Sequence, residues 1–101
     1  MSYGVITTVA QSITRYDRLH AALMERAGGD LTGLLLHIGR EVDGGFQVIE
    51  IWETRDHFDR TNAEIIWPLA TELFGPELSA PPTFEEFEPR GLVLTGSRLV
   101  Q

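Results

Sequence analysis

The chain has no cysteine, which excludes disulfides, thiolate metal sites and cysteine nucleophiles together. Basic residues are scarce: eight against fifteen acidic ones, for a formal net charge of −7. That balance repels phosphate backbones and anionic membranes, and no basic stripe interleaved with aromatics offsets it, so neither nucleic acid nor membrane is expected as a partner. No apolar run approaches the length of a membrane span, and the first residues lack the basic start and apolar stretch of a signal peptide. With no cysteine and no export signal, the expected compartment is the cytoplasm. Metal-ligand spacing such as H-E-x-x-H is missing, as are a G-x-S-x-G nucleophile context and a phosphate-binding glycine pattern. No cofactor is expected.

What is present is an ordinary globular composition, 43% apolar over 101 residues, enough for a single domain. The domain is expected to span 1–101, with a core over about 3–94 and a tail over 95–101. A chain of this size buries only about two-thirds of its unfolded surface, so its core is modest. With disulfides excluded, a second copy is the simplest source of further burial.

Residues 3–10 are rich in β-branched types and predict a strand. Thr14 and Asp17 form a helix-capping pattern. Tyr16, Leu19, His20, Leu23 and Ala27 then recur at helical spacing, and Gly28-Gly29 supplies a stop. Leu31 to Arg40 and Phe46 to Glu53 predict a hairpin around Asp43-Gly44, which suits a type I′ turn. That register sets Ile38 against Ile49, Leu36 against Ile51, His37 against Glu50 and Leu35 against Trp52. Thr54 is placed to cap a second helix carrying Phe58, Ile65, Ile66, Leu69 and Leu73, with a kink or two short helices expected near Pro68. Gly75-Pro76 ends it, and Thr83 to Leu94 predicts a last strand, bent at Pro89 or Gly91.

The order is βαββαβ. It predicts an α+β, ferredoxin-like fold, a four-stranded antiparallel sheet with helices on one face. Its hairpin has two faces of different chemistry. One is aliphatic (Leu34, Leu36, Ile38, Ile49, Ile51), as expected beneath the helices. The other carries Leu35, His37, Val48, Glu50 and Trp52, an apolar face with few polar groups that calls for a cover, and a second subunit is the expected one.

Gly33-Leu-Leu-Leu-His-Ile-Gly39, the hairpin, and Gln47-Val-Ile-Glu-Ile-Trp-Glu-Thr54 leading to Asp56-His-Phe58 resemble the small dimeric α+β barrel proteins, including the antibiotic-biosynthesis-monooxygenase-like group. The strand ending in Trp-Glu-Thr before a Phe-bearing helix carries most of the likeness. Pro82-Thr-Phe-Glu-Glu-Phe87 is similar to the start of that group's last strand. The resemblance implies a homodimer in which two sheets pack face to face, with a ligand cavity in or beside the barrel. The superfamily includes cofactorless quinone-forming monooxygenases, haem degraders, isomerases and members without known activity, so fold does not settle function. The first strand has no Asn of the kind haem degraders carry, and neither His57 nor His20 aligns with their haem ligand. Asn62 and Trp67 resemble polar and indole residues that quinone-forming members use on this helix.

His37 beside Glu50 can serve as a general acid/base pair, since a carboxylate fixes an imidazole's tautomer and raises its basicity. The plainer reading is a cross-strand ion pair at a dimer seam, worth about 0.2–1 kcal/mol. Trp52 can wall a planar ligand or plug the gap between subunits. His20 reads as a core-edge residue, His57 as a surface one, and Glu85-Glu86-Phe87-Glu88 as a solvated edge that discourages pairing. The expected function is therefore a homodimer with an apolar cavity for a small aromatic or polyketide-like ligand, performing a cofactorless oxygenation or isomerisation. His37 and Glu50 would be its catalytic pair, with Leu35, Val48, Trp52, Asn62 and Trp67 around the ligand. A non-catalytic ligand-binding or structural dimer is the alternative, and haem degradation a further one.

Overall fold

The computed structural model describes residues 2–27, 31–75 and 81–94. The helix-stop pair Gly28-Gly29 and the tail from Thr95 lie outside them. Strand β1 (Tyr3–Val9) is followed by helix α1 (Ile13–Ala27), strands β2 (Leu34–Val42) and β3 (Gly45–Trp52), helix α2 (Arg55–Thr61), a π-helical turn (Asn62–Ile66), helix α3 (Trp67–Phe74) and strand β4 (Thr83–Phe87). The strands form one antiparallel sheet in the order β2-β3-β1-β4, the ferredoxin-like α+β arrangement.

Local chemistry explains most boundaries. At α1 the cap is Ser12, two residues before the expected Thr14: its Oγ accepts from the Thr14 backbone N–H at 3.2 Å. Thr54 caps α2 as expected, its hydroxyl accepting the His57 N–H at 3.2 Å. Strand β4 stops at Phe87, well short of Leu94, because Pro89 has no N–H to extend the ladder.

Pro68 produces a π turn rather than a simple kink. It offers no N–H to the carbonyl four residues back, and its ring crowds that carbonyl. The helix widens just before it, and the Trp67 N–H reaches back five residues to the Asn62 carbonyl.

The β2–β3 register is the expected one from Val42↔Gly45 through His37↔Glu50 to Leu36↔Ile51. Its turn is not type I′, since only Gly44 has positive φ (79°) and Asp43 does not. Positive φ at the second central residue alone is a feature of type II turns. Beyond Leu36 the expected pairing fails. A β-bulge makes Leu34, not Leu35, the partner of Trp52, with two residues of β2 facing one of β3.

The two sheet faces are reversed relative to expectation. The helices cover the face of His37, Glu50 and Trp52, joined there by Tyr3, Val5, Thr7 and Val9 of β1. The core cluster combines Val5 and Trp52 from this face with Leu23 of α1, Leu31, Phe58 and Leu69. Trp52 is only 1% exposed and meets the Phe58 ring edge-on at 6.0 Å. The aliphatic face of Ile6, Leu36, Ile38 and Ile49 points away from the helices, and Ile38 is 48% exposed. Phe87 lies over Gly4 on this outer side, where any Cβ would overlap its ring. Alternation predicts which face is inward only when the other is polar. Here each face mixes apolar and polar residues, the outer one setting its aliphatic patch beside a row of Arg40, Gln47 and Thr8, and the pattern does not choose between them.

Candidate functional site

The site begins with the pairing of β2 and β3. Opposite residues on adjacent antiparallel strands share a face, so the register brings His37 and Glu50 together: Nδ1 lies 2.7 Å from Oε2. Two residues along β3, on the same face, Trp52 donates its indole N–H to Oε1 at 3.2 Å. Both carboxylate oxygens are thereby engaged. An ionised carboxylate only accepts hydrogen bonds, so Nδ1 of His37 carries the hydrogen and Nε2 of the neutral ring is the acceptor.

Nε2 receives the Tyr16 hydroxyl of α1, 2.7 Å away. Gly39, again on the same face of β2, makes room for this: a Cβ there would overlap the Tyr16 ring. The Tyr16, His20 and His37 rings lie nearly parallel, with centroids 5.4–5.9 Å apart. Burial, and after it the Glu50 and Asp17 carboxylates, raise the Tyr16 pKa above its usual value. The phenol therefore keeps its proton at neutral pH and donates it along the chain Tyr16–His37–Glu50.

This chain borders a cavity of about 710 Å³ between the inner sheet face and the helices. The lining is mostly apolar and aromatic, with Phe46, Val48, Phe58, Ile66, Phe74 and Phe84 among it. The π turn contributes Asn62, Ala63 and Ile66. The Asn62 amide N–H₂ is tied to the Phe58 carbonyl at 2.9 Å, which orients the side chain and leaves its carbonyl oxygen as an acceptor. On the far wall the Tyr3 hydroxyl donates to Glu86 at 2.7 Å, and Arg55 pairs with the same carboxylate at 3.1 Å. Burial and the Glu86 contact push the Tyr3 pKa up to about 12.

Of the residues singled out from sequence, His37, Glu50, Val48, Trp52, Asn62 and Trp67 border this one cavity. Leu35, displaced by the bulge, does not. Trp52 is no plug between subunits, because the chain's own helices cover it. At 1% exposure it offers almost no ring face for stacking; it anchors Glu50 instead. Trp67, 54% exposed, stands at the rim. His20, half-buried, stacks in the ring cluster, and Glu86 is a wall residue as well as part of the edge strand. Tyr16 and Arg15 are cavity residues that the helical pattern alone files under an apolar stripe and a solvated face. Gly39 is the available signal for Tyr16, a small residue on an inward strand position opposite a helix.

No protein-family model matches the sequence, and no curated protein is similar to it. Solved structures do match. A Caulobacter crescentus protein provisionally named an antibiotic biosynthesis monooxygenase superposes with a TM-score of 0.68 at 16% identity, covering 89% of this chain and 91% of that one. The fold is that of the antibiotic-biosynthesis-monooxygenase-like proteins. A Chloroflexus aurantiacus protein with the same provisional name gives a TM-score of 0.67 at 20% identity, covering 95% of this chain and all (100%) of its own. Rv0793 from Mycobacterium tuberculosis gives 0.63 at 18% identity, covering 91% and 98%. At these identities the likeness establishes the antibiotic-biosynthesis-monooxygenase-like fold and not the chemistry.

Proposed function

We propose that the protein is a cytoplasmic homodimer that binds a small phenolic or enolic, polyketide-like aromatic in this cavity and oxygenates it without a cofactor. The observation that carries the reading is the Tyr16–His37–Glu50 chain opening onto a mostly apolar space. About 710 Å³ falls within the roughly 300–1,000 Å³ range of small-molecule sites. The names of the structural neighbours point the same way.

The substrate hydroxyl passes its proton to the Tyr16 oxygen as Tyr16 passes its own to His37 Nε2. Glu50 positions the imidazole and balances the positive charge that forms. The resulting phenolate is electron-rich enough to give an electron to O₂ within a water-poor site. Recombination forms a C–O bond at the ring carbon para to the oxygen, and the peroxide anion takes back the proton held by His37, relayed through Tyr16, to give a hydroperoxide. Loss of that carbon's hydrogen, with O–O cleavage, leaves a quinone and water. One oxygen atom enters the product and the other leaves as water, so no external reductant is needed. Tyr16 and His37 are the catalytic residues, and Glu50 is a positioning residue. Asn62 and Trp67 orient the ring from the helical wall.

Oxygen uptake with a panel of naphthols and anthrones tests the reading. Turnover by the wild type that falls at least a hundredfold in His37→Ala supports it. Equal rates for the two proteins would remove His37 from the chemistry, and no uptake by either would leave a ligand-binding dimer as the better account.

The aliphatic patch on the outer face favours two subunits. Ile38 is 48% exposed there, amid Ile6, Leu36 and Ile49. An exposed apolar patch of this kind is a characteristic interface.

A further inference from the structure

The chain contains no lysine, and its eight basic residues are all arginines. Among the described residues Arg26, Arg55 and Arg60 each pair with a carboxylate. Arg15 and Arg18 do not. Both guanidiniums instead lie over the Phe74 ring, 4.9 and 5.0 Å from its centroid. Two like charges three residues apart on one helix repel each other, and both sit near the positive end of the α1 dipole, whose first turn has no acidic residue. Cation–π contact with Phe74 offsets part of this cost but leaves the guanidinium N–H groups without a carboxylate acceptor.

Arg15 lines the cavity, as does its neighbour Tyr16. The carboxylates on the cavity walls are already engaged. Glu50 accepts from His37 and Trp52, and Arg55 pairs with both Asp59 and Glu86. Arg15 is thus the charged wall residue with donors to spare. A chain of net charge −7 repels anions at long range, so a local positive site at the cavity has a specific use.

We infer that Arg15, backed by Arg18, is an anion subsite, and that the cavity's ligand is an aromatic bearing a carboxylate. This rests on the proposed use of the cavity and narrows its substrate class. The guanidinium holds the carboxylate through charge-assisted hydrogen bonds while the phenol or enol of the same molecule meets Tyr16.

The test compares two probes of nearly equal shape, 1-hydroxy-2-naphthoate and 1-hydroxy-2-naphthamide, titrated calorimetrically at low ionic strength. Wild type is expected to bind the naphthoate about tenfold more tightly. Arg15→Gln should abolish that advantage while changing the naphthamide Kd less than twofold, and Arg15→Lys should restore part of it. Circular dichroism confirms that each variant is folded. Equal wild-type affinities, a preference that persists in Arg15→Gln, or equal weakening of both probes overturns the anion subsite alone. Failure of both probes to bind overturns it together with the aromatic-cavity reading.

Discussion

Tyr16 and His37, twenty-one positions apart, meet at 2.7 Å across the helix–sheet interface, and the contact is possible because the strand position two residues beyond His37 is glycine. That contact extends a cross-strand pair into a hydrogen-bonded chain of three side chains bordering a cavity. A plain ion pair between His37 and Glu50 would have no need of a phenol on its far side.

Tyr16→Phe keeps the ring in the hollow over Gly39 and removes only the hydroxyl. Stability should fall by about 1 kcal/mol, the usual net worth of one such hydrogen bond, read from urea unfolding. Oxygen uptake with a phenolic substrate should fall about a hundredfold. Retention of full activity would show that the proton leaves by another route.

Ile38→Glu places a charge on the aliphatic outer face, on the opposite side of the sheet from the cavity. Wild type is expected to sediment as a dimer at micromolar concentration and the variant as a folded monomer. A wild-type monomer under those conditions would mean that the outer face is not a subunit interface.

Alkaline pH should reveal the two perturbed tyrosines. Tyr3 is pushed up to about 12, and Tyr16 is also raised. Above the ordinary value of about 10, the unfolded chain releases phenolic protons that the folded chain retains, so the folded state binds more protons and stability falls as pH rises. Their stabilising contribution is complete below about pH 10 and, for Tyr3, is lost as pH climbs towards 12. Absorbance at 295 nm followed against pH should show tyrosinate forming late in the native protein and near pH 10 in urea. A native titration at the ordinary value would contradict the Tyr3–Glu86 and Tyr16–His37 contacts.

Much of this was legible in the residues. The Asp43-Gly44 turn set the register that joins His37 to Glu50, and the register holds although the turn is of another type, because a two-residue loop fixes the pairing whatever its dihedral angles. The bulge at Leu35 was not legible, since three consecutive leucines carry no period-2 signal to mark the extra residue. The direction of the faces was not legible either. Leu36, Ile38, Ile49 and Ile51 look like a core, yet the inner face is built around polar groups that satisfy one another, with Tyr16 from the helix completing the set. Arg15 was hidden because its meaning depends on Phe74, fifty-nine residues later, coming to lie beneath it.

The π turn at Asn62–Ile66 has a consequence for how the pocket can change. Reaching back five residues instead of four amounts to one extra residue in a continuous helix, which offsets everything after it by about 100°. Phe58 before the turn and Trp67, Ala70 and Phe74 after it therefore belong to two helical frames that happen to share one cavity. Removing a single residue from the turn would swing the second frame away while leaving the first in place. The entrance would be remodelled, and the ring beneath Arg15 withdrawn, without altering a loop or a strand. The shape of this binding space is governed by phase, a quantity that one insertion or deletion resets.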